Sequence, residues 1–512
     1  MRKRGPYGEG CLNRSGKKLQ SDDPEIQGIL DAGAGIESPA WIYNEFADVE
    51  LGDKRLDKRL IKTAGFLGSA PLAPINQACL DWRSVKSAYR LFDNEKAEPA
   101  KILAPHVAAT ARRMRAVAIE EKKVLLAASD TVFIGYAHPN VSGIGPIGKD
   151  NKGGRGLVMH NVLVMTTEGV PQGLVHQNIW ARDEVPEETR QEKIERLQQM
   201  AIDEKESFKW ICGVRDARAH TPRGAKVVML CDREGDFYEH LAEALQHKDN
   251  YVIRARVDRR LPQEQNEGHE RMHEAIEAAE QLGTMEVVVP GNGKRKTRTA
   301  TVGIKAAKVT IKQPQRRGQA KETELPEEIT VRLVAATEIS TPPEGEEAIT
   351  WVLLTNMMVA DFESAKEKVL WYSKRFVIET FHKTLKSGLK VEDCRLETGE
   401  RLMRHLALCS VIAVRLMNVA YLAREKPELP ATAAFAPEEL EALHVLTREG
   451  VPPKEPPTLK EAVRMVAKLG GHLGRKRDGE PGMTVMWRGW LQLYIAVHVV
   501  GRLRRAGMIN SS

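Results

Sequence analysis

Apolar positions change their spacing along the chain and divide it into regions. In residues 41–119 they recur mostly three to five apart among many Lys and Arg residues, which is the period of a helix with one buried face. Residues 1–37 are polar and show no period, as is typical of a flexible tail. The pattern predicts a small basic helical domain at 38–119, preceded by this tail.

Residues 120–257 contain short apolar runs that are typical of strands buried on both faces. The predicted strands are 123–136, 157–166, 171–180, 226–232 and 251–257, and the predicted helices are 187–208 and 237–246. Three strands followed by alternating helices and strands is the order of an RNase H-like α/β sheet, in which strand ends meet at a shared edge. The region is predicted to be the first part of such a core.

The region 258–349 is rich in Val, Thr, Gly and Lys, and in places its apolar and polar positions alternate with the period of a strand. This alternation predicts a β-rich insertion in the core. The alternating segments are 285–289, 299–311 and 329–336, and the most basic loops are Lys294–Lys296 and Arg316–Arg317.

Helical spacing returns after the insertion, so 350–426 is predicted to complete the core. Seven prolines punctuate 427–458, which indicates a linker. The last region, 459–512, is again helical and carries Trp487 and Trp490 on one side.

Composition narrows the class of protein. A hydrophobic content of 42% and a charged content of 29% are those of a soluble globular protein, and the chain has no run of 18 apolar residues that would predict a membrane span. The basic N-terminus leads into polar residues, unlike a secretory signal, so we expect a cytoplasmic protein. Six scattered cysteines without a Cys-x-x-Cys pair indicate neither a zinc site nor a disulfide framework. The net charge of +7 is compatible with a polyanionic partner.

Two acidic residues interrupt the predicted strands. Asp130 lies in the middle of one apolar run, and Asp232 ends another. Because a buried, unpaired carboxylate costs several kcal/mol, each needs a cation, hydrogen bonds or an exposed strand edge. A structural, hydrogen-bonded Asp explains one such residue equally well, but two on neighbouring strands favour a site.

A third acid, Glu379, lies in a predicted helix at 370–386. At about 100° per residue, a stripe about 60° wide holds one acid, one aromatic residue and two cations, with a third cation beside it. The stripe consists of Tyr372, Arg375, Glu379 and Lys386, with Lys383 beside it, and the apolar positions opposite are Leu370, Val377, Phe381 and Leu385. A charged stripe is usually only solvated. This mixture, however, suits a carboxylate that binds metal while its neighbours hold phosphates.

These residues resemble a known signature. A Tyr followed by Arg three residues later, Glu seven later and Lys fourteen later is the pattern of the Tn5 (IS50) group of the IS4 family of transposases, in the DDE superfamily, and Tyr372, Arg375, Glu379 and Lys386 match it at every position. The segments around Asp130 and Asp232 resemble the two acidic strands of that family. The resemblance extends from about Leu51 to Trp490. It covers nearly everything except the first 40 residues.

The resemblance implies an α/β fold: an RNase H-like catalytic core with a β-rich insertion, flanked by an N-terminal helical DNA-binding domain and a C-terminal helical dimerisation domain. It implies that Asp130, Asp232 and Glu379 are catalytic and hold two Mg²⁺ ions, which Mn²⁺ can replace, since Mg²⁺ prefers hard oxygen ligands. Family members nick the transposon strand, form and reopen a hairpin, and join the ends to target DNA. The expected protein is a cut-and-paste transposase that binds terminal inverted repeats and acts as a homodimer. It is expected at the nucleoid of a bacterium, without a membrane partner.

Trp351 lies 21 residues before Tyr372 in the strand-like segment 350–355. The family has a base-stacking Trp near this position, so the resemblance implies that Trp351 holds a flipped base, with Tyr372, Arg375, Lys383 and Lys386 contacting DNA. The competing possibility is a Trp packed in the core of a sheet.

Two alternative functions fit the same residues. A catalytically silent DNA-binding inhibitor of transposition is the main alternative, and a standalone RNase H-like nuclease is the second. Two short motifs point elsewhere but are incomplete. The Gly-rich segment 143–148 fits a dinucleotide-binding pattern, but no helical pattern follows it. Glu379 and His382 form half of a di-iron motif without a second half, so His382 is expected to be a phosphate neighbour or a surface residue.

Overall fold

The computed structural model describes residues 40–79, 81–138, 140–148, 151, 153–184, 186–289, 297–315, 318, 324–447, 455–475, 478–506 and 508. The tail at 1–37 and the basic loops Lys294–Lys296 and Arg316–Arg317 lie outside the described residues.

Helices occupy the N-terminal region, as the spacing predicts. They are α1 (Ala40–Phe46), α2 (Lys54–Ser69), α3 (Ile75–Ala78), α4 (Trp82–Phe92) and α5 (Pro99–Arg115). The side chain of Asp53 accepts a hydrogen bond from the N–H of Arg55 at the start of α2, and Asp81 accepts one from the N–H of Ser84 at the start of α4. Such caps satisfy N–H groups that have no partner inside the helix, which explains why the helices begin there.

A mixed sheet forms the first part of the core. Its strands are β1 (Leu125–Gly135), β2 (Gly145–Pro146), β3 (Arg155–Thr166), β4 (Pro171–Trp180), β5 (Val227–Cys231) and β6 (Asn250–Arg254). β1 pairs antiparallel with β3 and parallel with β5, and β5 pairs parallel with β6. The helices of this part are α6 (Arg190–Gln199), α7 (Phe208–His220) and α8 (Tyr238–His247).

The helix α7 is not predicted from the sequence, because the helical spacing indicates a helix only at 187–208, whereas α7 spans Phe208–His220. The sequence of α7 contains Gly213, a weak helix former that breaks the apolar pattern. A Cβ atom at this position would lie 2.9 Å from the Cγ2 atom of Val162, so the close packing of α7 on β3 requires glycine. Tertiary packing therefore stabilises a helix that its own sequence signals weakly.

The β-rich insertion extends the same sheet. It contributes α9 (Met272–Ala278), β7 (Gln281–Val289), β8 (Arg298–Lys312) and β9 (Glu328–Glu338), and the chain then enters β10 (Thr350–Thr355). The ten-stranded sheet has the order β2-β3-β1-β5-β6-β10-β9-β8-β7, and β4 pairs with β3. The predicted strands are present, and β10 joins the insertion to the core because it pairs with both β6 and β9.

The predicted helix at 370–386 is not one regular helix. It consists of the end of α10 (Phe362–Ser373), of α11 (Phe376–Lys383) and of a π-helical turn at Thr384–Gly388. Between α10 and α11, backbone N–H groups bond to carbonyls three residues back instead of four. This tightening rotates the preceding turn, and Leu370, which was predicted on the buried face, is 42% exposed.

The C-terminal helices are α12 (Gly399–Glu425), α13 (Pro437–Thr447), α14 (Leu459–Leu469) and α15 (Met483–Arg505). By length and composition α12 could cross a membrane, but its most apolar window is 78% buried inside the protein. It packs against α2, α4, α5 and β4, so it is the central helix of the core.

The segment 427–458, predicted as a Pro-rich linker, contains the helix α13. Pro437 is its first residue, where a proline costs no hydrogen bond. The helix packs against α14 and α15. Trp490 stacks on Phe435, with ring centroids 5.5 Å apart. The proline-rich stretch therefore holds a packed element of the C-terminal unit.

A buried cluster of charged and polar side chains links α1 to the core. Glu45 lies where α1, α5 and β4 meet, and its carboxylate accepts hydrogen bonds from His106 Nδ1 at 2.6 Å and Arg113 Nη1 at 2.7 Å. The N–H of Leu174 donates to His106 Nε2, which places the ring hydrogen on Nδ1. Burial alone would raise the pKa of Glu45, but His106 and Arg113 outweigh it and hold the pKa at about 2. The N-terminal helices are thereby fixed to the central sheet.

Candidate active site

Three carboxylates meet where β1 and β5 run side by side. These strands are parallel, with Ser129 opposite Cys231, so the next residues, Asp130 and Asp232, lie on adjacent strands at the same level. The third acid, Glu379, lies on α11, which packs against β1. The sheet register and this helix therefore bring the three predicted acids to one place.

Asp130 is largely buried, with 15% of its side chain exposed. Its Oδ1 accepts a hydrogen bond from the N–H of Thr131 at 2.8 Å. Burial raises the pKa of Asp130 to about 7; the cation of Arg375 opposes the rise, while Asp232 and Glu379 add to it. The nearby positive charge does not fully compensate this carboxylate.

Arg375 bridges two of the acids. Its Nη2 lies 2.5 Å from Glu379 Oε1 and its Nη1 lies 3.5 Å from Asp130 Oδ2. The guanidinium is buried, while the side chain of Glu379 is 49% exposed. Burial would lower the pKa of Arg375, but Tyr372, Asp130 and Glu379 raise it instead. A permanent cation thus lies between two carboxylates that repel each other.

The donor set fits divalent metal ions. Three carboxylates supply hard oxygen ligands, and buried Asp130, with its raised pKa, gains from any cation that approaches it. In the described part of the chain no three His, Cys, Asp or Glu side chains are already grouped to hold a metal. The guanidinium of Arg375 occupies the space between two of the three acids.

Trp351 and Tyr372 lie beside the acids. Trp351 is on β10, partly buried, and its ring meets that of Tyr372 edge to face with centroids 5.3 Å apart. Tyr372 is buried, and the guanidinium of Arg375 lies over its ring at 6.0 Å. The aromatic pair is therefore continuous with the bridging arginine.

The two predicted lysines differ in their surroundings. Lys386 is half-buried; its Nζ donates to the carbonyl oxygen of Phe133 at 3.0 Å and pairs with Glu392 at the same distance. Lys383 is exposed on α11. Lys386 is thus held beside β1, whereas Lys383 faces solvent.

His382 was expected to be a phosphate neighbour or a surface residue, and the structure shows that it is not on the surface. It is 7% exposed, and its Nδ1 lies 3.9 Å from Asp130 Oδ2. Burial, followed by the charges of Arg375 and Lys386, lowers the pKa of His382 to about 3. The residue is buried because α11 packs against β1.

Asn161 contacts His382 and was not predicted from the sequence. It is fully buried on β3, directly opposite Asp130 in the register, and its Nδ2 lies 3.2 Å from His382 Nε2. The signal was present: Asn161 is a lone amide in the apolar run 157–166, as Asp130 is a lone acid in its own run.

Three family models match successive parts of the chain. Residues 38–97 match a transposase DNA-binding domain, 214–415 a transposase DDE domain, and 411–508 the Tn5 transposase dimerisation domain. Together these three matches fit a Tn5-type DDE transposase of the IS4 family. This transposase is a DNA-cleaving and strand-transfer enzyme with DNA-binding and dimerisation domains, and DDE domains use divalent metal ions.

The match to the DDE domain includes Asp232 and Glu379 but begins after Asp130. The assignment of Asp130 to the site therefore depends on its position in the structure. A cryo-EM structure of a piggyBac transposase synaptic complex with hairpin DNA aligns with 91% of this transposase and 80% of that chain, at 11% identity and a TM-score of 0.35. No residue is transferred from that structure.

Proposed function

We propose that this transposase moves DNA by cut-and-paste, binding terminal inverted repeats and using Asp130, Asp232 and Glu379 to hold two Mg²⁺ ions, which Mn²⁺ can replace. The convergence of the three carboxylates on β1, β5 and α11 carries the proposal. The setting would be the cytoplasm of a bacterium, at the nucleoid, where both transposon ends and target DNA are present.

The chemistry is a phosphoryl transfer. When bound, the two ions supply activation of a water or 3′-hydroxyl and stabilisation of the leaving oxygen for in-line displacement at phosphorus. Asp130 and Asp232 are held by adjacent strands, so their spacing is fixed by the sheet. Arg375 presents a planar guanidinium that can pair with phosphate oxygens as it does with Glu379. Lys386 and Lys383 extend the positive charge along α11 and the π-helical turn, so they are candidates for contacts with the DNA backbone.

We further propose a hairpin intermediate. The freed 3′-hydroxyl attacks a phosphodiester of the opposite strand, so the new ester bond closes the hairpin while the bond to the flanking DNA breaks and the flanking strand leaves with a 3′-hydroxyl. The sharp bend beside the cut is relieved by flipping one base out of the stack. Trp351 is suited to hold that base, because its ring is only partly buried and packs against the ring of Tyr372. Tyr372 itself is buried, so we assign it to the support of Trp351 and Arg375 and less to direct contact with DNA.

Dimerisation in the synaptic complex requires a surface on the C-terminal unit. Trp487 and Trp490 lie on one side of this unit, but they are 3% and 7% exposed and pack inside the chain. Ile495 and Val499 lie four residues apart on α15 and are 46% and 50% exposed. Residues at this spacing share one helix face, so we propose that they form part of the contact between two copies.

The test compares Asp130→Asn, Asp232→Asn and Glu379→Gln with the wild type. Each variant keeps the shape of the side chain but removes its charge, so we expect transposon-end binding within about twofold of wild type and cleavage lowered by about a thousandfold or more. A gel shift measures binding, and Mg²⁺-dependent cleavage of a labelled end measures catalysis. Asp258→Asn, in a loop outside the site, is the control.

Cleavage near the wild-type rate by any of the three would remove that residue from the site. A wild-type protein that binds ends tightly but cuts in neither Mg²⁺ nor Mn²⁺ would instead support the silent inhibitor. Products with hydrolysed ends but no hairpins would support the simple nuclease.

A further inference from the structure

A chain of polar side chains, most of them buried, leads from α12 towards Asp130. Ser410 Oγ donates to the carbonyl oxygen of Leu406 at 2.8 Å, and Gln177 Nε2 donates to Ser410 Oγ at 2.8 Å. Gln177 Nε2 also donates to Asn161 Oδ1 at 2.9 Å. Asn161 Nδ2 then contacts His382 Nε2 at 3.2 Å. Ser410 and Asn161 are fully buried, so water does not replace these contacts.

The backbone carbonyl fixes the direction of every hydrogen bond in this chain. A carbonyl oxygen only accepts, so the single hydroxyl hydrogen of Ser410 points at Leu406. Ser410 must then accept from Gln177, whose amide nitrogen also donates to Asn161 Oδ1. The NH₂ group of Asn161 is left to face His382. Since Nε2 accepts from it, the ring hydrogen of His382 lies on Nδ1.

We propose that His382 is a positioning residue for Asp130, and that the chain Ser410–Gln177–Asn161 keeps its Nδ1–H directed at the carboxylate so that Asp130 is set for metal binding. The inference rests on the proposed function, because it takes Asp130 to be a metal ligand. Nδ1 lies 3.9 Å from Asp130 Oδ2, which is longer than a hydrogen bond but within range of an electrostatic contact. With the other tautomer, a nitrogen lone pair would face the carboxylate and repel it.

Positioning by this route has a physical reason. Asp130 has one oxygen held by the N–H of Thr131, and the other faces Arg375 Nη1 at 3.5 Å. If Arg375 turns towards phosphate, His382 still offers a side-chain donor near Oδ2. Groups that orient a metal ligand in this way typically change metal affinity by about 10–100-fold when removed.

Two substitutions of His382 distinguish the roles of its two ring nitrogens. The amide nitrogen of Asn occupies the δ position, as Nδ1 does, and that of Gln occupies the ε position, as Nε2 does. His382→Asn keeps a donor directed at Asp130, whereas His382→Gln loses it. With the full-length protein, Mn²⁺ binding is measured by electron paramagnetic resonance. We expect His382→Asn to bind Mn²⁺ within about threefold of wild type and His382→Gln to bind at least about tenfold more weakly.

The same pair of substitutions at His106 is the matched control. His106 is also buried, its Nδ1 also faces an acid, Glu45, at 2.6 Å, and its Nε2 also accepts from an N–H group, but it lies on α5 and is not part of the chain that leads to Asp130. We expect both His106 variants to bind Mn²⁺ as the wild type does. If the His382 variants do not fold, Ser410→Ala tests the same proposal from the far end, because it frees Gln177 to turn. A roughly threefold or larger loss of Mn²⁺ affinity is expected there.

Equal Mn²⁺ affinities for His382→Asn and His382→Gln, whether both high or both low, would overturn the positioning role. So would an unchanged affinity in a folded Ser410→Ala. The proposed function fails in a different way: Asp130→Asn would then bind Mn²⁺ as tightly as the wild type does.

Discussion

Replacing Arg375 with Gln tests whether the bridging guanidinium stabilises the carboxylate cluster. Arg375 is buried between Asp130 at 3.5 Å and Glu379 at 2.5 Å. Removing one member of a buried ion pair costs about 3–5 kcal/mol. Glu379 is 49% exposed, so its share is screened by water. Asp130 has a pKa near 7 and can take up a proton, which limits the cost further. We expect a loss of about 2 kcal/mol, or about 4–8 °C in Tm.

Magnesium should reverse much of this loss. Without Arg375 no guanidinium competes for Asp130 and Glu379, so added Mg²⁺ should raise the Tm of Arg375→Gln by more than it raises that of the wild type. Scanning calorimetry in EDTA and in excess Mg²⁺ gives the four values. Arg112→Gln is the control, because Arg112 is exposed and pairs with Asp48 at 3.6 Å. Its Tm should stay at the wild-type value in both solutions.

Two outcomes would refute the reasoning. If Arg375→Gln melted in EDTA at the wild-type temperature, the guanidinium would not stabilise the acids. If Mg²⁺ stabilised the variant less than the wild type, Arg375 would assist the metal site and not compete with it.

Three further predictions follow from other parts of the structure. Trp351→Ala should slow hairpin formation by about tenfold or more while first-strand nicking stays near wild type, because stacking of a flipped base is worth about 1–3 kcal/mol; timed assays on labelled ends measure both steps. Ile495→Asp combined with Val499→Asp should keep single-end binding but prevent pairing of two ends in gel shifts. The pKa of Glu45 is lowered from 4.5 to about 2, so its carboxylate should contribute roughly 3 kcal/mol to the free energy of unfolding above pH 4.5. This contribution should be lost as the pH falls towards 2. Urea unfolding of Glu45→Gln should lack this acid dependence.

Each of these predictions has a control and a contrary result. Val352→Ala, at the neighbour of Trp351 on β10, should leave the rates of nicking and hairpin formation unchanged. If Trp351→Ala slowed both steps equally and lowered the Tm to match, Trp351 would be a core residue. Thr484→Asp, exposed elsewhere on α15, should pair ends normally, and full pairing by the double variant would remove that face from the dimer. The same acid dependence in Glu45→Gln as in wild type would assign it to other carboxylates.

Residues whose chemistry contrasts with their local pattern could be predicted from the sequence. Asp130 and Asp232 are acids in apolar strands, and Glu379 lies in a spaced signature, so all three could be placed at one site before the fold was known. The helical N-terminal region and the strands of the insertion also follow from spacing alone. These features depend on local periodicity, which a single sequence records.

Features that depend on distant packing could not be predicted. The break between α10 and α11 has no proline or glycine to mark it, and the burial of His382 depends on β1, some 250 residues earlier in the chain. The helix α7 forms because Gly213 fits closely against Val162 on β3. In each case the deciding partner is remote in sequence, so the local pattern is misleading or incomplete.

The late position of α12 in the chain determines when the N-terminal helices can complete their packing during protein synthesis. The helices α2 and α4 bury their apolar faces against α12, yet α4 ends at Phe92 and α12 begins at Gly399. A ribosome adds about 5–20 residues per second, so roughly 300 residues of further translation delay that contact by about 15–60 s. During this interval the N-terminal helices lack α12 as a partner for those faces. Until the last quarter of the chain is synthesised, these apolar faces of α2 and α4 therefore stay exposed to solvent or bind a chaperone.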